Sequence, residues 1–177
     1  VILLKWSITE LRKKREKSFT IDETVEMPEL TQMDEQIRDI SPVHVTGRAD
    51  ISSEKITFHL HVTGQFVLPC ARTLVDVPYP FAIDSTEVFL LKDLPEYESK
   101  DEDIHKVHGD TVDLLPVIKE MLLSEVPMQV ISEEAKKKEL PSGKGWKLLT
   151  EDQLLKEQNE KIDPRLAKLA DLFADDK

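Results

Sequence analysis

Hydrophobic and polar positions alternate most regularly between residues 43 and 68, in VHVTGRADISSEKITFHLHVTGQFVL. Val43, Val45 and Ala49 recur at even spacing on one side of a polar break, and Ile56, Leu60 and Val62 on the other. This is the period of two strands that each bury one face. Folding the chain back over Ser52 and Ser53 sets Ile51 against Glu54, Ala49 against Ile56, Val45 against Leu60 and Val43 against Val62. The same register places Asp50 against Lys55 and Arg48 against Thr57, so hydrophobicity and charge select one hairpin. Ser-Ser is a poor two-residue turn, which favours a four-residue loop of the same parity.

Weaker patterns flank this hairpin. In SFTIDETVEM, Phe19 and Ile21 alternate and, after a slip in phase, Val25 and Met27 resume, predicting a strand that ends at Pro28. Residues 29–41 predict a loop or one helical turn. Beyond Leu68, PCARTL leads into Val75, Val77, Tyr79, Phe81 and Ile83, a third strand. Pro78 and Pro80 both lack an N–H and, two residues apart, leave the gap on the same side, so this strand belongs at an edge or leaves the sheet there. EVFLL at 87–91 predicts a further short strand, and KDLPEYESKDEDIHKVHGD after it a solvated acidic loop.

Helical signals lie outside the strand region. Ser7 with Glu10 forms a capping box for a helix over about 8–16. Asp113 and Pro116 open the best interior helix, over about 113–125, with Leu114, Val117, Ile118, Met121 and Leu122 at helical spacing. Thr150 with Gln153 starts another helix. Asp163 and Pro164 start a last one, whose Leu166, Leu169, Ala170 and Phe173 share a face that must dock on the body or on a partner. The expected fold is α+β: an antiparallel β-meander or partly closed barrel of four to six strands, with one main packed helix and short terminal helices. Residues 1–128 form the body, 129–149 a mobile connector with Trp146 as anchor, and 150–177 a C-terminal helical segment.

Charge narrows the function. The 177 residues carry 35 acidic against 24 basic side chains, a net charge of -11. Affinity for polyanions comes mainly from lysine and arginine, so generic nucleic-acid binding is disfavoured. The basic residues Arg12, Lys13, Lys14 and Arg15 form a local exception that permits a secondary rRNA contact. No run approaches the roughly 20 apolar residues of a membrane span, and Val1–Leu4 is too short for a secretory core. A single cysteine excludes an internal disulfide. A reducing cytoplasm fits best, with no membrane partner.

Two features carry candidate chemistry. Cys70 lies in the PCARTL loop, where a nucleophilic role would need a base and a depressed thiol pKa. No thiol-hydrolase signature surrounds it, and Thr73 stands where a Cys-x-x-Cys metal pair would have its second thiol. His44, His59 and His61 share one face in the predicted register, with His44 opposite His61. Three imidazoles can hold zinc, but the absence of a carboxylate nearby in the hairpin favours a plain solvent face. The SGKG segment lacks the strand and remaining residues of a phosphate loop, and Lys136–Lys138 read as a solvated face. The residues nominate no catalytic group, cofactor or small-molecule substrate.

Four stretches carry a resemblance: KWSITELRK, GQFVLPCARTLVDV, DLLPVIKEMLLSEVPM, and KGWKLLTEDQ followed by IDPRLAKLADLF. In this order they resemble the YceD family, large ribosomal RNA subunit accumulation proteins, in the form found in Bacillus-like Firmicutes. The resemblance runs from Lys5 to Phe173. Many members carry Cys-x-Arg-Cys in the middle loop and further thiols after the main helix, a pattern like a zinc knuckle. Cys70 and Arg72 match it, whereas Thr73, Ser132 and Ala135 replace the thiols, so Cys70 is expected to be a remnant in a loop held by packing. The resemblance implies a part in building the large ribosomal subunit. Together with the charge it implies a non-enzymatic factor that binds a basic ribosomal protein or assembly intermediate, through Asp163, Pro164, Arg165, Leu166, Leu169, Trp146 and the basic residues 12–15. The alternatives are a metal-dependent rRNA-processing enzyme using His44, His59 and His61, and a general interaction module docking through its last helix.

Overall fold

A computed structural model of the chain describes residues 4–14, 19–92, 103–107 and 109–160. It begins with β1 (Lys5–Ser7) and α1 (Ile8–Lys13). β2 (Phe19–Val25), the single-turn α2 (Leu30–Met33) and β3 (Asp39–Ile40) lead into the three long strands β4 (Val43–Ile51), β5 (Lys55–Pro69) and β6 (Asp76–Leu90). β7 (Asp103–Lys106) and β8 (Thr111–Asp113) precede the main helix α3 (Leu115–Glu125). α4 (Glu133–Lys137), the hairpin strands β9 (Ser142–Gly143) and β10 (Trp146–Lys147), and α5 (Glu151–Glu160) follow.

The class is α+β, as predicted, and the sheet is open. Its strands lie in the order β2-β4-β5-β6-β7, with β3 paired to the far end of β5. Neighbours are antiparallel except β6 and β7. β2 and β7 occupy the two margins of this path, so it does not close into a barrel.

Ser52 sets the register of the central hairpin. Its hydroxyl accepts the backbone N–H of Lys55 at 3.0 Å and of Glu54 at 3.3 Å, and donates to the Lys55 carbonyl at 2.7 Å. This stabilises a four-residue loop, and Ile51 pairs with Ile56. Each partner therefore lies two residues from the tight-turn expectation: Ala49 opposes Phe58, Val45 opposes Val62, Asp50 opposes Thr57 and Arg48 opposes His59. A shift of two preserves parity, so the apolar face stays on the core side. β4 also approaches β5 closely, since a Cβ on Gly47 would lie 2.3 Å from the His59 carbonyl oxygen.

Three further expectations change. Phe19, Ile21, Val25 and Met27 are all buried on one parity, so Glu23 interrupts β2 without a slip in phase. EVFLL is not a separate strand but the end of β6, which pairs with β5 over its whole length. Part of the predicted acidic loop is β7, which adds to β6 only at Glu87–Leu90. Pro78 and Pro80 lie outside that stretch, where among the described residues β6 has its ladder neighbour on the β5 side alone, so their missing N–H groups are tolerated.

The core lies between the apolar sheet face and the helices. Val45, Phe58, Leu60 and Val62 meet Leu11, Leu114, Ile118 and Leu122, all nearly inaccessible to solvent. Trp6 stands edge-on to Phe19 and stacks on Phe58, with ring centroids 5.1 and 6.2 Å apart. The β1–β8 ribbon ties the two helical entries together through Leu114 N–H to Leu4 O and Ile8 N–H to Asp110 O, each 2.9 Å. Ser7 and Glu10 complete the predicted capping box, although α1 ends at Lys13. The backbone N–H and hydroxyl of Ser7 hold the Glu10 carboxyl below its ordinary range. Asp113 accepts the Leu115 N–H at 3.0 Å as α3 begins.

The chain divides into two compact units, Val1–Ala135 and Lys136–Lys177. In the second, SGKG forms the β9–β10 hairpin, with Gly145 at positive φ. The Trp146 ring lies over Gly143. Thr150 and Gln153 form the predicted reciprocal cap of α5, and Lys147 pairs with Glu157. The stretch 129–149, expected as a connector, thus contains α4 and this hairpin. Among the described residues no helix is long and apolar enough to cross a membrane.

Candidate functional site

The Cys70 loop is a tight turn closed by its own backbone. Cys70 N–H donates to Val75 O at 2.8 Å and Leu74 N–H to Cys70 O at 2.9 Å, with Leu74 in the left-handed region at φ 60. The segment after α3 runs beside it, because Cys70 and Val130 form a parallel bridge and Ala71 N–H donates to Val130 O at 2.8 Å. This crossing brings 70 and 72 to 132 and 135, and the Thr73 hydroxyl also reaches the Cys70 sulfur. The Cys70 sulfur accepts the backbone N–H of Ser132 at 3.3 Å and of Arg72 at 3.5 Å. Ser132 in turn caps α4 by accepting the Ala135 N–H at 3.2 Å, and the Arg72 guanidinium donates to the Ala135 carbonyl at 3.1 Å.

Hydrogen bonds therefore hold this loop as well as packing. They also set the thiol chemistry: the Ser132 N–H, followed by the Thr73 hydroxyl, pulls the Cys70 pKa down to about 6. No solvent reaches the side chain. Its cover is thin, however, since the loop borders a shallow recess of about 180 Å³ walled by Leu74, Pro127 and Val130, and desolvation offsets only part of the shift. The residues do not fit the zinc that the knuckle pattern implies. One thiolate is joined by a threonine, a serine and an alanine, where a structural site needs four nitrogen or sulfur ligands. The Ser132 N–H···S bond, with the Ala71 N–H and the Arg72 guanidinium donating to the Val130 and Ala135 carbonyls, ties the two segments together in this chain.

The histidines are arranged differently. His44 does not face His61; its register partner is Thr63, and that of His61 is Thr46. His44 Nε2 lies 2.8 Å from an Asp22 oxygen, His59 Nε2 3.1 Å from Asp50, and His61 Nδ1 2.6 Å from Asp84. His59 Nδ1 also meets the Thr86 hydroxyl at 3.2 Å. The expectation that no carboxylate stands nearby is overturned: Asp50 is in the hairpin itself, and Asp22 and Asp84 come from the flanking strands. Each imidazole nevertheless takes its own aspartate on an exposed surface. Among the described residues no three His, Cys, Asp or Glu side chains are grouped to hold a metal ion.

The other nominated residues are dispersed. Arg12 and Lys13 are exposed near the end of α1, and the Lys14 ammonium lies 4.9 Å from the centre of the Phe19 ring. Trp146 is 56% exposed. Arg15, Asp163, Pro164, Arg165, Leu166 and Leu169 lie outside the described residues. A pair that the sequence did not suggest is Glu87 with His105, 2.6 Å apart. Glu87 is 2% exposed, and its other carboxylate oxygen accepts the Ser85 hydroxyl at 2.5 Å. One local signal was available: Glu87 has the inward parity of Ile83 and Phe89.

An open α+β sheet with a helix over its apolar face and a loop crossing tied by hydrogen bonds defines a small acidic protein without a convergent reaction centre among its described residues. The family model of the large ribosomal RNA subunit accumulation protein YceD matches residues 58–173, and the chain belongs to that family. The chain is also similar to the uncharacterized protein YlbN of Bacillus subtilis (strain 168), at 43% identity over 175 residues covering 98% of both chains. No solved structure matches it.

Proposed function

We propose that this protein is a non-enzymatic factor in large ribosomal subunit biogenesis, acting in the cytoplasm by binding a basic ribosomal protein or an assembly intermediate that contains one. Family membership carries the process. The net charge of -11 supports the class of partner, because a surplus of carboxylates favours cationic polypeptides over bare RNA. Separate pairing of each sheet-face histidine with its own aspartate supports a binding role over metal-dependent rRNA processing. The test is binding of the full chain to purified basic large-subunit proteins, to subunit precursors and to plain rRNA, over a salt series. Salt-sensitive binding to protein is expected. Tighter binding to plain rRNA than to any ribosomal protein, or turnover of precursor rRNA, would refute the reading.

Docking through the C-terminal unit is a second reading, favoured by the exposure of Trp146, Leu148, Leu154 and Leu155 there. Truncation before Pro141, which removes these four residues together with the rest of the C-terminal segment, should then abolish partner binding and leave the thermal transition of the body nearly unchanged. Retained binding by the truncated chain would count against it.

A further inference from the structure

A cavity of about 320 Å³ lies between the C-terminal half of β6 and α3. Its apolar walls are Ile83, Val117 and Met121, and its polar lining is three carboxylates with the His105 imidazole and the Ser124 hydroxyl. Glu87 and its partner His105 line it from the sheet side, while Glu120 and Glu125 line it from α3. Among the described residues no lysine or arginine lines this space.

Glu87 is the only charged side chain buried among the described residues. Among the described residues its two oxygens have one hydrogen-bond partner each, Ser85 and His105. A carboxylate can accept about four hydrogen bonds, so acceptor capacity remains for a donor entering from the cavity. Burial makes a charge-assisted bond there worth more than one on the surface.

We infer that this cavity receives a lysine or arginine side chain of a basic polypeptide: the aliphatic stem lies against Ile83, Val117 and Met121, and the cationic head points toward Glu87, with Glu120 and Glu125 completing the negative field. The inference rests on the functional reading above and adds to it a specific site. Two observations select this occupant. The volume is at the lower end for ligand pockets, suited to one side chain. The acids are also too dispersed to share a metal ion among the described residues, whereas a cation on a long apolar stem meets both kinds of wall.

The test titrates the full-length, isotope-labelled protein with N-acetyl-arginine amide and N-acetyl-lysine amide, with N-acetyl-glutamine amide as neutral control, and follows backbone amide shifts. Saturable shifts centred on Glu87, His105, Met121 and Ser124 are expected with at least one cationic probe and not with the control. The surface double variant Glu120→Gln, Glu125→Gln should weaken binding about tenfold, and Met121→Trp, which fills the cavity, should abolish it. Non-saturating shifts spread over the acidic surface, or unchanged affinity in the folded double variant, would overturn the proposal. Basic large-subunit proteins provide a separate arm. If they bind wild type and both variants equally, the cavity is refuted and the functional reading stands. If they bind none of the three, the functional reading fails, and the amide shifts still judge the cavity.

Discussion

On the exposed sheet face, His44, His59 and His61 lie close together in the sequence, yet each turns to a different aspartate. At the Cys70 loop, Cys70 and Ser132 are 62 positions apart and meet through a direct N–H···S bond. Closeness along a hairpin does not produce convergence, because a flat face spaces its side chains and lets each find a neighbouring strand's carboxylate. A crossing of two segments produces it readily. Backbone donors aimed at one sulfur make a shared centre without any further thiol.

The largest effect should come from placing thiols at the three positions where a zinc knuckle would need them. The variant Thr73→Cys, Ser132→Cys, Ala135→Cys should bind one zinc ion tetrahedrally and, with zinc in thousandfold excess over Kd, raise Tm by about 10 °C. Metal analysis and thermal melts with and without a chelator check this. Absence of stoichiometric zinc would show that the four positions converge less well than their hydrogen bonds indicate.

Removing the acceptor tests the same loop from the other side. Cys70→Ala leaves the Ser132 and Arg72 N–H groups without their sulfur and should lower Tm by about 5 °C, with Cys70→Ser recovering part of the loss. An unchanged melting curve for Cys70→Ala would assign the loop to packing. The thiol should titrate near 6, read as thiolate absorbance against the Cys70→Ala blank, and Thr73→Val should raise that value. Because the folded pKa is depressed, the linked stability is fully present above the ordinary thiol value of about 8.5 and fades as pH falls through about 6. A thiol titrating at its ordinary value would remove this pH dependence.

The smallest effect belongs to the sheet face. Replacing His44, His59 and His61 together by alanine should move Tm by less than about 2 °C, since exposed ion pairs contribute little. A drop as large as that of Cys70→Ala would erase the contrast between the two regions.

Much of this was legible along the chain. Strand parity, the Ser7–Glu10 and Thr150–Gln153 capping boxes, the start of α3 and the position of Pro78 and Pro80 at an edge all follow from interactions within a few residues. Register was less legible, because Ser52 bonds to the 54 and 55 backbone and fixes a longer loop than residue pairing suggested. β7 was hidden in an acidic stretch because its strand character comes from pairing with β6, not from its own pattern. The aspartates beside the histidines were hidden for a related reason: two of the three come from strands outside the hairpin.

By itself the sequence determined which faces are apolar, where the chief helices start, the acidic balance and the family. These depend on periodicity, caps and composition, whose physics acts over one or two turns of chain. Only the tertiary structure decided that residues 70–73 meet 132–135, that Glu87 is buried against His105, and that a cavity remains between β6 and α3. Such meetings require closing loops of tens of residues, and their outcome depends on how the whole core packs.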